Sequence, residues 1–388
     1  MRTPKSQRGF SLLELIVAST IGLIVILAAT SLFKMGMDAT FTVTQRAETQ
    51  QNVRAAIELM TKDISLAGSG LPSGGLQLVT GGVVSQFACN QAGTCYVPNN
   101  TYPNSGAGTP NYMYAIIPGF NNGVQNAAVI PNAPGQINDS ITSIYCDYNF
   151  SLSNFAFAFP NATTANVNLI AAPNPLLPNN ILAPGGLQVG DLMLFTVSTP
   201  GNGRGPNGTS LVQNAAVVAE ITGIPAGGGT INFALGDALN FNQAGANNLA
   251  AVSAAVAAGG GNAQTTVCRL YAVTYFLQVP AAGGTVQTPR LMRQVNGLNA
   301  VPVADNIINL QFSYDVINFT NGFVNANLAN PIAAGQSPSL IQKINIWIMG
   351  ESLTQAGKKS QSMYLATSVS ARNVSFCNSF SSNAVVCQ

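Results

Sequence analysis

The residues best equipped for bond-making are six cysteines: Cys89, Cys95, Cys146, Cys268, Cys377 and Cys387. All lie beyond residue 88, and an even count in an exported domain reads as disulfides, with 15 connectivities open. Cys89 with Cys95 and Cys377 with Cys387 are the short-loop candidates, which leaves Cys146 for Cys268. A metal site competes for the same thiols. With no histidine and no C-x2-C spacing the case for zinc is poor, so no metal and no cofactor is expected. The missing histidine also removes the commonest general base, and with it Ser-His-Asp and Cys-His arrangements. The carboxylates beyond residue 66 are scattered and argue for no acid–base pair. Gly227-Gly228-Gly229 lacks the Lys-Ser/Thr of a phosphate loop and reads as a turn. No catalytic residue is therefore predicted. Arg290 and Arg293 read as a solvated strand face rather than contacts for an acidic partner. Phe155, Phe157 and Phe159 alternate as a strand facing a core does, in preference to an adhesive patch.

One carboxylate stands apart. Glu14 is the single charged residue between Phe10 and Phe33, a 24-residue stretch long enough to span a hydrocarbon core as a helix. An unpaired carboxylate there costs about 2.5–3.5 kcal/mol on insertion scales, so it marks a function with a partner. Arg2, Lys5 and Arg8 precede the stretch and place that flank on the cytoplasmic side. A cleaved secretory signal is the competing reading. Its apolar region is usually about 7–15 residues and ends in a small-residue site, and Ala28-Ala29-Thr30 is a poor one.

Lys5-Ser6-Gln7-Arg8-Gly9 followed by Phe10-Ser11-Leu12-Leu13-Glu14-Leu15 resembles the signal of the type IV prepilins. The resemblance implies cleavage between Gly9 and Phe10 by prepilin peptidase on the cytoplasmic face. It also implies N-methylation of Phe10, retention of the apolar helix, and a role for Glu14 in assembly.

The elements that must carry these residues begin with a helix. No proline occurs between Phe10 and Leu71, and Val53, Ile57, Met60, Ile64 and Ala67 form one apolar stripe at spacings of 4, 3, 4 and 3. Gly68, Gly70 and Pro72 end it. A helix over Phe10–Ala67 would be about 87 Å long, its first half apolar all round and its second half amphipathic. The second half should lie on a globular domain while the first protrudes; a separate coiled-coil stalk is the alternative.

Residues 1–66 hold 12 of the 28 charged residues, and net charge is only +2, so no nucleic-acid partner is argued. The rest must solvate its surface with amides, hydroxyls and backbone, as an extracytoplasmic, loop-rich β domain does. Strands are predicted at Gln77–Thr80, Met113–Ile117, Leu192–Ser198, Ala216–Ile221 and Thr230–Ala234 among Gly- and Pro-rich turns. Residues 245–264 read as a surface insertion or a short helix. Val267–Val279, Leu291–Val295, Ile307–Val316, Lys343–Gly350 and Ser362–Arg372 are the strongest strands, the second as a hairpin partner of the first.

That succession resembles the C-terminal half of PilW-type minor pilins and of J-type pseudopilins of type II secretion. The pieces are Gly190-Asp191-Leu192, Val303-Ala304-Asp305-Asn306-Ile307 leading to Leu310-Gln311-Phe312-Ser313-Tyr314, and Ala371-Arg372-Asn373. It fades between Leu71 and Pro184, and the helix lacks the proline common in prepilins. The fold class expected is α+β and pilin-like: a long N-terminal helix on an antiparallel β-sheet domain with large loop insertions. The organisation expected is a leader over 1–9, a transmembrane and assembly half over 10–33 and an amphipathic half over 34–67. The β-rich domain then covers 68–388, with insertions about 85–185 and 240–265. The function expected is a minor pilus subunit, with a type II secretion pseudopilin or a membrane-tethered adhesin that never polymerises as alternatives. Partners implied are other pilins, minor pilins, prepilin peptidase, the inner membrane before assembly and a large tip adhesin. The mature protein would move from inner membrane to the pilus at the cell surface.

Overall fold

The computed structural model describes residues 9–72, 75–79, 112–120, 138–147, 150, 152, 155–169, 181–182, 185–201, 210–245, 248–260, 263–278, 289–318, 323–331, 337–352 and 361–370. The leader before Gly9, Cys89, Cys95, Cys377, Cys387 and Ala371-Arg372-Asn373 lie outside these residues. The chain opens with α1, Leu12–Leu66, 55 residues and about 82 Å of helix. Its C-cap is Ala67, and Gly68 and Gly70 adopt φ of 81° and 76°, a region glycine enters without steric cost.

The apolar stripe forms as the spacing predicts. Val53, Ala56, Ile57, Met60, Ile64 and Ala67 are all buried. Packing begins only at Thr49, well beyond the expected start of the amphipathic half at residue 34. Continued upstream, the stripe falls on Thr49, Arg46, Thr42 and Asp38, which offer little to a core. Helix α1 therefore stands clear of the other described residues for roughly 55 Å.

After α1 come β1 (Leu76–Gln77), β2 (Tyr112–Met113), β3 (Ile116–Gly119), β4 (Ser140–Cys146), β5 (Phe155–Asn161), β6 (Thr164–Leu169), β7 (Leu192–Gly201), β8 (Ser210–Glu220) and β9 (Thr230–Asn232). Helix α2 (Leu249–Gly259) precedes β10 (Gln264–Gln278), β11 (Arg290–Val295), β12 (Val301–Asp305), β13 (Ile307–Ile317), β14 (Val324–Leu328), β15 (Ile341–Glu351) and β16 (Ser362–Ser370). Within the 245–264 stretch, α2 is the helical alternative, capped by Asn248 and tucked in by Leu249 and Val252.

Strand β10 joins the domain together. Leu270 pairs with Cys146 of β4 on one edge and Leu192 of β7 on the other. Farther along, Val273–Gln278 pair with Val295–Arg290 of β11, the expected hairpin partner. With β3, β8 and β12 this makes a seven-stranded antiparallel sheet. Strand β4 lies inside the stretch read as an insertion, yet it sits next to β10 and all seven of its residues are buried. One of its polar residues is answered across the sheet: the hydroxyls of Thr142 and of Thr274 on β10 bond each other at 2.8 Å.

A second antiparallel sheet runs β14-β13-β15-β16. Its inner residues, among them Phe312, Tyr314, Ile344, Ile346 and Ile348, close the main core over the α1 stripe. The approach is tight at Gly350. A Cβ there would stand 2.7 Å from Val53 Cγ2, closer than side chains pack. A further core forms where β5, β6, β7, β8, β9 and α2 meet. There Phe159 and Phe233 meet the Phe195 ring edge-on at 5.1 and 5.6 Å, so the alternating phenylalanines do face a core. The architecture is α+β and pilin-like, a long N-terminal helix on antiparallel β-sheets.

Candidate assembly site

Gly9 and Phe10 precede the helix, and Phe10 is 89% exposed. Ser11, extended at φ −75° and ψ 149°, is the N-cap. Its hydroxyl accepts the Glu14 amide at 3.2 Å, and the Glu14 carboxylate accepts the Ser11 amide at 3.0 Å. This capping box satisfies two amides that a helix start leaves orphaned. It also gives Glu14 a partner within its own chain, which the sequence reading had not anticipated; the signal was the Ser-x-x-Glu spacing itself. Around it Leu12, Leu13, Leu15 and Ile16 are all exposed. Nothing in the rest of the described chain covers this end.

The other end of α1 is fixed by charge. Asp63 lies on the apolar stripe, three residues after Met60, and is buried. Its carboxylate accepts Tyr275 Oη at 2.6 Å, Tyr145 Oη at 2.9 Å and Arg293 Nε at 2.8 Å. The reading of Arg293 as solvated is thus wrong: it is turned inward and held by Asp63. Arg290 is only partly exposed on the same strand. Burial lowers the guanidinium's affinity for its proton, but the hydrogen bond and charge of Asp63 more than reverse this and raise the Arg293 pKa. Burial, then the Asp63 charge, pushes both tyrosine hydroxyls well above their ordinary range. Just past the helix, the Gly68 amide donates to the Ile144 carbonyl at 2.9 Å and the Cys146 amide to the Ser69 carbonyl at 2.8 Å, so the helix exit joins the edge of β4.

Cys146 and Cys268 are disulfide-bonded, their Cα atoms 5.8 Å apart on neighbouring strands. Arg269 follows. Its guanidinium pairs with Asp147, donates to the Gly185 and Gly186 carbonyls at 2.7 and 3.0 Å, and lies 4.6 Å over the Phe150 ring. Asp191 of the Gly-Asp-Leu motif lies 3.9 Å from the same guanidinium. Burial raises the Asp191 pKa despite the Gln188 amide and Arg269. These groups are all engaged in holding loops to strands. Among the described residues no cluster of three or more His, Cys, Asp or Glu could hold a metal ion.

Residues 4–30 match the family model described as the prokaryotic N-terminal methylation motif. No curated protein and no solved structure matches the chain. The motif supports a type IV pilin-like protein, a pilin or pseudopilin processed by prepilin peptidase. It coincides with the apolar start of α1, the one described helix long and apolar enough to cross a membrane, which fits anchoring in the inner membrane.

Proposed function

We propose that this chain is a minor subunit of a type IV pilus, of PilW type. Residues 1–9 are the leader removed by prepilin peptidase at Gly9–Phe10, and Phe10 is then N-methylated. Residues 10–33 hold the subunit in the inner membrane, with the N-terminus cytoplasmic, and later enter the filament. Residues 34–67 lead out of the bilayer to the extracytoplasmic domain, 68–388.

The observation that carries this reading is Glu14. It is the one carboxylate in the apolar helix surface over residues 10–33, which the other described residues leave uncovered. Once helices leave lipid and bundle, a carboxylate answered only by the Ser11 amide, with no countercharge, remains costly. Cleavage creates a cation that every subunit supplies, the amine of Phe10. Pairing Glu14 with the Phe10 amine of a neighbour draws in the incoming subunit and fixes its axial register, the role best attested for buried ionic groups. A J-type pseudopilin would use the same two groups. The resemblance of the 303–314 segment extends to both families, so the filament it joins is the discriminating observation.

The test compares Glu14→Ala with the unmodified protein in sheared filaments and in membranes. The variant should insert and be cleaved, yet be depleted from type IV pili. Recovery at the unmodified ratio, or co-purification with the secretion filament instead, overturns the proposal.

A further inference from the structure

The outer face of the β14-β13-β15-β16 sheet has a composition that no packing demand explains. Ser313, Asn345 and Ser368 stand side by side in register across β13, β15 and β16. Asn327 of β14 extends that row, accepting from Asn345 Nδ2 at 3.1 Å. The next row is Gln311, Trp347 and Ala366, and Tyr364 lies one step beyond on the edge strand β16. The Trp347 and Tyr364 rings are 6.4 Å apart and inclined by only 24°. All of these residues but Tyr364, whose ring stands beside Trp347, line an open depression of about 490 Å³. Among the described residues no Asp, Glu, Lys or Arg lines it. The nearest charges on the face, Asp315 and Lys343, are paired with each other at 2.9 Å.

From this we infer that the face is a binding site for a neutral saccharide. Three features carry the inference. Tyr364 is 70% exposed, so a large aromatic ring is kept in water beside an indole. Ala366, between Trp347 and the sheet edge, leaves the flank of the indole open. A pyranose presents a patch of C–H bonds with partial positive charge, which suits the negative face of such rings. The amide and hydroxyl row alongside supplies both donors and acceptors for sugar hydroxyls. Asn345 Oδ1, Asn327 Nδ2, Ser368 Oγ and Tyr364 Oη make no hydrogen bond among the described residues. The absence of unpaired charge among the described residues of the face favours a neutral ligand over an acidic glycan or a nucleic acid. The site stands whether or not the subunit polymerises.

Trp347 is the single tryptophan of the chain, so its emission reports on this face alone. The full-length protein, in a detergent that is not itself a glycoside, is titrated with maltotetraose, cellotetraose and chitotetraose, and with sialyllactose as the acidic control. At least one neutral oligosaccharide should change the emission saturably. Tyr364→Ala and Ala366→Arg, both at exposed positions, should weaken that response about tenfold with the melting temperature unchanged. Four outcomes overturn the inference: no response to any neutral sugar up to about 20 mM, tighter binding of sialyllactose, binding undiminished in both variants, or an emission change that follows protein concentration without sugar. The last would assign the face to a second copy of the chain.

Discussion

Asp63 on the helix and Tyr275 on β10 are 212 residues apart in sequence and share a hydrogen bond of 2.6 Å. Because Asp63 also takes Tyr145 and Arg293, one carboxylate ties α1 to three neighbouring strands. Removing it leaves a half-buried guanidinium and two buried hydroxyls without their acceptor. Asp63→Ala should destabilise the domain by about 3 kcal/mol, measured by denaturant unfolding of the full chain. Asp63→Asn, which keeps an acceptor, should cost less. Equal stability of all three proteins would mean that the cluster is incidental.

The same cluster predicts behaviour in alkali. The folded pKa values of Tyr145 and Tyr275 are raised, and burial pushes Tyr271 up to about 12. A group with a raised folded pKa contributes stability that is fully present below its unfolded value, about pH 10 for tyrosine, and is lost as pH rises through the folded value. Phenolate absorbance should therefore appear in two stages, exposed tyrosines first and these three later, the later stage coinciding with unfolding. A single stage near pH 10 with the fold intact would contradict the burial.

Gly350→Ala puts a methyl against Val53 Cγ2. Overpacking of this kind costs about 1–3 kcal/mol. Val53→Ala made alone should also destabilise, but the double variant should recover part of the loss, since the methyl added at residue 350 fills space that the shortened residue 53 vacates. Strictly additive losses in thermal melts would place the helix farther from β15.

Reduction of Cys146–Cys268, or its replacement by two alanines, releases a loop whose ends are separated by 122 residues. A loss of about 2–4 kcal/mol is expected, read as a lower denaturation midpoint. The double-alanine variant should no longer respond to reductant if the response comes from this bond.

Processing gives the last prediction. The 388-residue precursor should lose its nine leader residues and gain one methyl group on Phe10, which intact mass of membrane-extracted protein measures. A mature chain beginning at Met1 or near Thr30 is the contrary result.

How much was legible in the sequence depended on how local the physics was. Helix α1 announced itself because its apolar stripe and the glycines that end it are close together in sequence. Strands β10, β13 and β15 were plain for the same reason, with β-branched and aromatic residues in a row. Strand β4 was harder: Ser140, Thr142 and Ser143 look like loop residues until the Thr142–Thr274 pair satisfies one of them across the sheet. Arg293 was misread because its partner is 230 residues away. Asp63, however, could have been found, since a carboxylate placed on an apolar stripe must be answered by something. The saccharide face was invisible, because Trp347, Ala366 and Tyr364 become neighbours only through the β15–β16 register.

The junction of α1 with β4, β10 and β11 also has a mechanical meaning. A pull on the exposed end of the helix reaches the sheets first through Val53 against β15, then through Asp63 and the Gly68 and Ser69 bonds to β4. Tension on one rod is thus shared by several strands that are themselves bonded edge to edge.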